Sequence, residues 1–128
     1  MAQSKNLNVL ALKILSPILI LTGGLGYLIP QELFLKSTTS YYNLFYIDAG
    51  LLGMIVLFTM NAKIARFYNI FLGLIFVYQA LASHFNLFPE TYFQWTLTDD
   101  IVNMDIGLIL LFIGIMNFGG KPQTQQEL

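Results

Sequence analysis

The chain has 128 residues, of which 56% are hydrophobic and only 10% charged, against about 25% charged in an average soluble domain. That shortage argues against a free-standing soluble domain. Six Lys and Arg against seven Asp and Glu leave a formal net charge of -1 and no basic surplus with which to bind nucleic acid. Without cysteine there are no disulfides, thiolate metal sites or cysteine nucleophiles, and a single histidine excludes a multi-histidine metal site within one chain.

A membrane crossing takes about 20 largely apolar residues at a rise of about 1.5 Å each. Residues 14–31 carry no charge, 37–62 hold only Asp48, 67–89 carry none and 101–120 hold only Asp105. They predict spans near 10–29, 41–61, 66–86 and 100–118. The expected fold is an all-α membrane protein, a four-transmembrane-helix bundle in one domain, with a polar cytoplasmic tail over 119–128. Pro30 and Pro89 close the first and third spans, and Asn61 opens a short turn carrying Lys63 and Arg66. The basic start and Gly24-Leu25-Gly26 loosely imitate a secretory signal. The apolar run continues past those glycines to Ile29, however, and four spans are the better account.

Basic residues set orientation, since the side richer in Lys and Arg stays in the cytoplasm. Lys5, Lys13, Lys63, Arg66 and Lys121 fall on one side and only Lys36 on the other. Both termini are therefore expected to be cytoplasmic, in a cell membrane of the bacterial inner-membrane kind. Tyr27, Tyr41, Tyr42, Tyr46, Tyr92 and Trp95 cluster near the outer boundary, and Glu32, Glu90, Asp99 and Asp100 make the outer loops acidic.

The two halves resemble each other. Tyr27-Leu28-Ile29-Pro30-Gln31-Glu32-Leu33-Phe34 aligns with Asn86-Leu87-Phe88-Pro89-Glu90-Thr91-Tyr92-Phe93, and Ile47-Asp48-Ala49-Gly50-Leu51 with Met104-Asp105-Ile106-Gly107-Leu108. This reads as a parallel repeat of two helical hairpins. Gly26-Tyr27-Leu28-Ile29-Pro30, Ala65-Arg66-Phe67-Tyr68, Asp99, Gly50, Gly53 and Gly107 together resemble a family of uncharacterised four-span bacterial integral membrane proteins. Spans 2 and 4 of that family carry a His-x-x-x-Gly pattern. Here Tyr46 and Asn103 stand where its histidines fall, so a role depending on those histidines does not carry over. The resemblance implies an integral membrane protein and no particular activity.

The residues most out of place are Asp48 and Asp105, because a carboxylate at the centre of a membrane helix costs about 2.5 to 3.5 kcal/mol on insertion scales. At about 1.5 Å per residue, Asp48 lies about 9 Å below Tyr42 and Asp105 about 7.5 Å below Asp100. Gln79 and Thr22 reach a similar depth, with His84 higher. Thr22, Asp48, Gln79 and Asp105 could therefore form a hydrogen-bonded layer that fixes helix register, or a proton, cation or ligand site; each Asp could instead snorkel to the headgroups. Helical geometry adds a constraint. Gly50 and Gly53 share a stripe of span 2 with Tyr46, and Gly107 and Gly114 share one of span 4 with Asn103, while each Asp sits about 150 to 200° away. If the glycines pack the bundle, the acids leave it and call for a wide cleft or a partner; the converse arrangement puts the glycines between subunits.

Other patterns carry little. Gly23-Gly24-x-Gly26 lies inside a span with no Lys-Ser/Thr after it, so it is no phosphate loop. Aromatic side chains and one interfacial histidine make no pigment, quinone or porphyrin site, and no cofactor or metal is expected. Neither is an enzyme. The favoured reading is a non-enzymatic accessory or scaffold subunit that packs against itself or a larger membrane complex. The alternative is a small proton- or cation-coupled transporter or channel component using Asp48 and Asp105.

Overall fold

The computed structural model describes residues 6–34 and 37–116; Lys5, Lys36, Lys121 and the tail over 119–128 lie outside the described residues. Within them the order is α1 (Leu7–Leu25), α2 (Gln31–Phe34), α3 (Ser40–Phe58), α4 (Ala62–Phe85), α5 (Glu90–Phe93) and α6 (Leu97–Met116). Helices α1, α3 and α4 are long and apolar enough to cross a membrane. By length and composition the chain is a helical membrane protein. The 20 residues of α6 include Asp99, Asp100 and Asp105.

Side-chain caps decide where these helices begin. Asn6 Oδ1 accepts from the backbone N–H of Asn8 at 2.9 Å and of Val9 at 3.3 Å, so α1 starts three residues before the expected position 10. Asn61 does the same for α4, accepting from Lys63 at 2.9 Å and Ile64 at 3.3 Å. This carries α4 back to Ala62, where apolar content alone places its start near 66. Asn86 ends α4 at φ 56°, a left-handed conformation that asparagine tolerates better than most residues.

The long helices associate as two close pairs, α1 with α3 and α4 with α6. Glycine makes both pairs close. A Cβ on Gly50 would lie 2.7 Å from the Ser16 carbonyl oxygen, and one on Gly107 2.8 Å from that of Gly73. Ile20 also lies against Gly50, and Val77 against Gly107. Ser16, Ile20 and Gly50 each precede their counterparts Gly73, Val77 and Gly107 by 57 residues. Gly53 packs on Ser16 and Leu12, and Gly114 on Ile70. The glycine stripes thus work inside the chain, within each pair, as small residues do wherever membrane helices approach closely.

Polar and aromatic groups join one pair to the other. Asn69 Nδ2 of α4 donates to the Asn8 carbonyl oxygen at 3.0 Å and to Asn8 Oδ1 at 3.1 Å. The Tyr68 hydroxyl donates to the Ala49 carbonyl oxygen of α3 at 2.5 Å. Within the second pair, Arg66 Nε donates to the Gly114 carbonyl oxygen at 2.6 Å, placing a cation at the C-terminal end of α6, where unpaired carbonyls favour it.

Candidate functional site

A buried polar cluster lies between the pairs, in the half of the molecule nearer the α1–α3 and α4–α6 connections. Tyr42 and Tyr46 of α3 and Asn103 of α6 are buried there. The Tyr42 hydroxyl donates to Asn103 Oδ1 at 3.1 Å and lies 3.4 Å from the Tyr46 hydroxyl. Phe76 meets Tyr46 edge-on, and Phe93 packs against Tyr42 and Trp95. Trp95 Nε1 donates to Gln79 Oε1 at 3.1 Å. Gly73 faces Gly107 and Ile70 faces Gly114, a register that brings Gln79 of α4 level with Asn103 of α6. This layer holds hydroxyl and amide groups surrounded by rings, and its chemistry is neutral hydrogen bonding.

Above it sits a charged clasp. Asp99 is 1% exposed, and its Oδ2 accepts from the Ser37 N–H at 2.7 Å, the Thr96 N–H at 2.8 Å and Thr96 Oγ1 at 3.0 Å. The Asp99 N–H in turn donates to Thr96 Oγ1 at 3.2 Å. Thr96 and Asp99 therefore form a reciprocal capping box at the start of α6. The Ser37 hydroxyl donates to the Phe93 carbonyl oxygen, and Thr39 Oγ1 does so at 3.1 Å. The connection between α1 and α3 is thereby tied to that between α4 and α6.

The layer expected from Thr22, Asp48, Gln79 and Asp105 is not brought together. Asp48 is exposed on the outer face of α3 beside Leu44, Leu51, Leu52 and Ile55. Asp105 is exposed on α6, on a face with Ile101, Leu108, Ile109 and Phe112. Gln79 alone of the four is buried, and its oxygen is taken by Trp95. Thr22, half-buried, borders a pocket of about 160 Å³ between α1 and α6, together with Tyr46, Asp99 and Ile106. His84 is exposed at the end of α4, its ring edge-on to Phe85 at 4.9 Å. The reason is the glycine stripe: Gly50, Gly53, Gly107 and Gly114 are buried against the neighbouring helix of each pair, and a residue half a turn away from them must point outward. Among the described residues, no three His, Asp or Glu side chains converge as metal ligands.

No protein-family model, curated protein or solved structure matches the chain.

Several residues that shape the structure read differently in the sequence. Asp99 looks like part of an acidic outer rim, yet Thr96-Leu97-Thr98-Asp99 has the Ser/Thr-x-x-acid spacing of a capping box, which is a usable signal. Tyr42 looks like an interfacial aromatic, yet it is buried, with Phe93 of α5 against its ring and Asn103 of α6 on its hydroxyl. Asn8 and Asn69 carry no local signal of their pairing across 61 residues.

Proposed function

We propose that the chain is a four-span bundle of a bacterial inner membrane, both termini cytoplasmic, acting as a non-enzymatic accessory or scaffold subunit that packs against itself or a larger membrane complex. The single observation that carries this reading is the outward exposure of Asp48 and Asp105 on otherwise apolar helix faces. Lipid is a poor destination for a carboxylate, and a partner helix offering a hydrogen-bond donor is a good one. The interior is committed to its own packing, with glycine contacts inside each helix pair and the Tyr42–Asn103 and Ser37–Asp99 bonds between them.

Three further features support the details. Between Asp100 and the end of α6 the only charged residue is Asp105, an apolar stretch that supports α6 as the fourth span. The 57-residue offset that relates Ser16, Ile20 and Gly50 to Gly73, Val77 and Gly107 also relates Asp48 to Asp105 and Tyr46 to Asn103, as a parallel two-hairpin repeat requires. Lys13, Lys63 and Arg66 fall at the end where α3 meets α4, and Glu32, Glu90, Asp99 and Asp100 at the other.

The test is purification in mild detergent with chemical cross-linking of the membrane beforehand. Wild type should be recovered as an oligomer or with another membrane subunit, and the double variant Asp48→Leu, Asp105→Leu should be recovered folded but alone. A wild-type chain that is monomeric and unaccompanied after cross-linking would count against the scaffold. The transporter alternative requires pH-dependent flux in proteoliposomes that Asp48→Asn with Asp105→Asn abolishes; with both acids facing outward, such a path would run between copies.

A further inference from the structure

At the end where α3 turns into α4, a pocket of about 190 Å³ opens between Val9 and Lys13 of α1, Val56 and Leu57 of α3, and Met60 and Asn61 of the turn. It plays no part in the polar layer or the clasp. Its walls are apolar apart from Lys13 and Asn61. Asn61 Oδ1 is engaged with the N–H groups of Lys63 and Ile64, which leaves its Nδ2 as a donor at the pocket. Lys13 is exposed, six residues into α1, or about 9 Å along a helix rising about 1.5 Å per residue. At that depth the ammonium group has to reach back toward headgroup oxygens while its methylene stem lies along apolar surface.

The charge around the pocket is one-sided. Among the described residues the acids Glu32, Glu90, Asp99 and Asp100 sit at the opposite end, and Asp48 and Asp105 lie in the half nearer to them. Arg66 is engaged with the Gly114 carbonyl oxygen, and Lys63, exposed at the start of α4, adds positive charge. An apolar cleft with a lysine at its rim and no described carboxylate to neutralise it matches an anionic amphiphile. Basic pockets between helices on the cytoplasmic side take anionic lipid headgroups in this way.

We propose that this pocket binds an anionic phospholipid of the inner leaflet, with its acyl chain against Val9, Val56 and Leu57 and its phosphate on Lys13. The inference rests on the membrane orientation proposed above. A free inorganic anion would gain nothing from the apolar walls, and a zwitterionic lipid would add a cation beside Lys13.

Native mass spectrometry of the full-length, delipidated protein, titrated with phosphatidylglycerol or phosphatidylcholine of equal chain length, tests it. Wild type should retain phosphatidylglycerol about fivefold better, the factor that roughly 1 kcal/mol per basic residue confers. Lys13→Gln should remove that preference, and the charge-matched control Lys63→Gln should keep most of it. Val56→Phe, which narrows the cleft, should weaken retention of both lipids. Equal retention of the two lipids by wild type, or an equal loss in both lysine variants, would overturn the site. So would displacement of phosphatidylglycerol by millimolar inorganic phosphate, which would assign the site to a free anion. Release of the protein from membranes by alkaline carbonate would instead strike at the membrane reading itself.

Discussion

The backbone N–H of Ser37 donates to Asp99 Oδ2 at 2.7 Å, joining residues 62 apart in sequence. One carboxylate oxygen thereby holds the α1–α3 connection, caps α6 and accepts the Thr96 hydroxyl. Alanine at position 99 would remove the acceptor that the Ser37 and Thr96 N–H groups share, and the loss of a buried acceptor costs about 1 to 3 kcal/mol. Asp99→Ala should lower the midpoint of thermal unfolding in detergent by several degrees. Asp99→Asn, which keeps an acceptor oxygen, should lose distinctly less.

Glycine positions should separate sharply. A Cβ at Gly107 would meet the Gly73 carbonyl oxygen at 2.8 Å, whereas one at Gly24 would meet nothing within 4 Å. Gly107→Ala should destabilise by about 1 to 3 kcal/mol through overpacking. Gly24→Ala should be neutral or stabilising by up to about 1 kcal/mol, because alanine is the better helix former. Equal melting temperatures for the two variants would contradict the close pairing of α4 with α6.

Tyr42 and Asn103 should be energetically coupled. In a cycle of Tyr42→Phe, Asn103→Leu and the double variant, the interaction energy should be about 1 kcal/mol, the net worth of a buried hydrogen bond. Additive losses would mean that the two side chains do not share a bond in solution.

Asp48 and Asp105 should matter little to the isolated chain. Because both are exposed, Asp48→Leu and Asp105→Leu should each change unfolding stability by no more than about 0.5 kcal/mol in detergent. Sedimentation should show the difference as loss of association. A large drop in melting temperature would place the acids in the core instead.

Orientation can be read directly, since the chain has no cysteine of its own. With a membrane-impermeant maleimide on intact cells, Glu32→Cys should label and Lys63→Cys should label only after the cells are opened.

How much of this was legible in the residues depends on how local each feature is. Helix lengths followed from uninterrupted apolar runs, and the stripes of Gly50, Gly53, Gly107 and Gly114 from helical spacing, but whether those stripes pack within the chain or between copies did not. Helix starts were displaced by a few residues, because Asn6 and Asn61 cap α1 and α4 earlier than apolar content suggests. The capping box of Thr96 and Asp99 was written in the chain, but its burial was not, since that requires Ser37 to arrive from the other helix pair. The Asn8–Asn69 bond left no local trace at all.

Composition and spacing alone determined that this is a membrane-type helical chain, with a basic and an acidic end and two acids at matching depth in its apolar helices. Those are properties of single helices, each readable from its own residues. The tertiary structure decided which face of each helix turns inward. It buried the glycines within pairs, turned Asp48 and Asp105 outward and closed Asp99 inside. The rotation of a helix about its axis is set by contacts with residues tens of positions away, and a backbone can approach its neighbour closely only on the side without side chains.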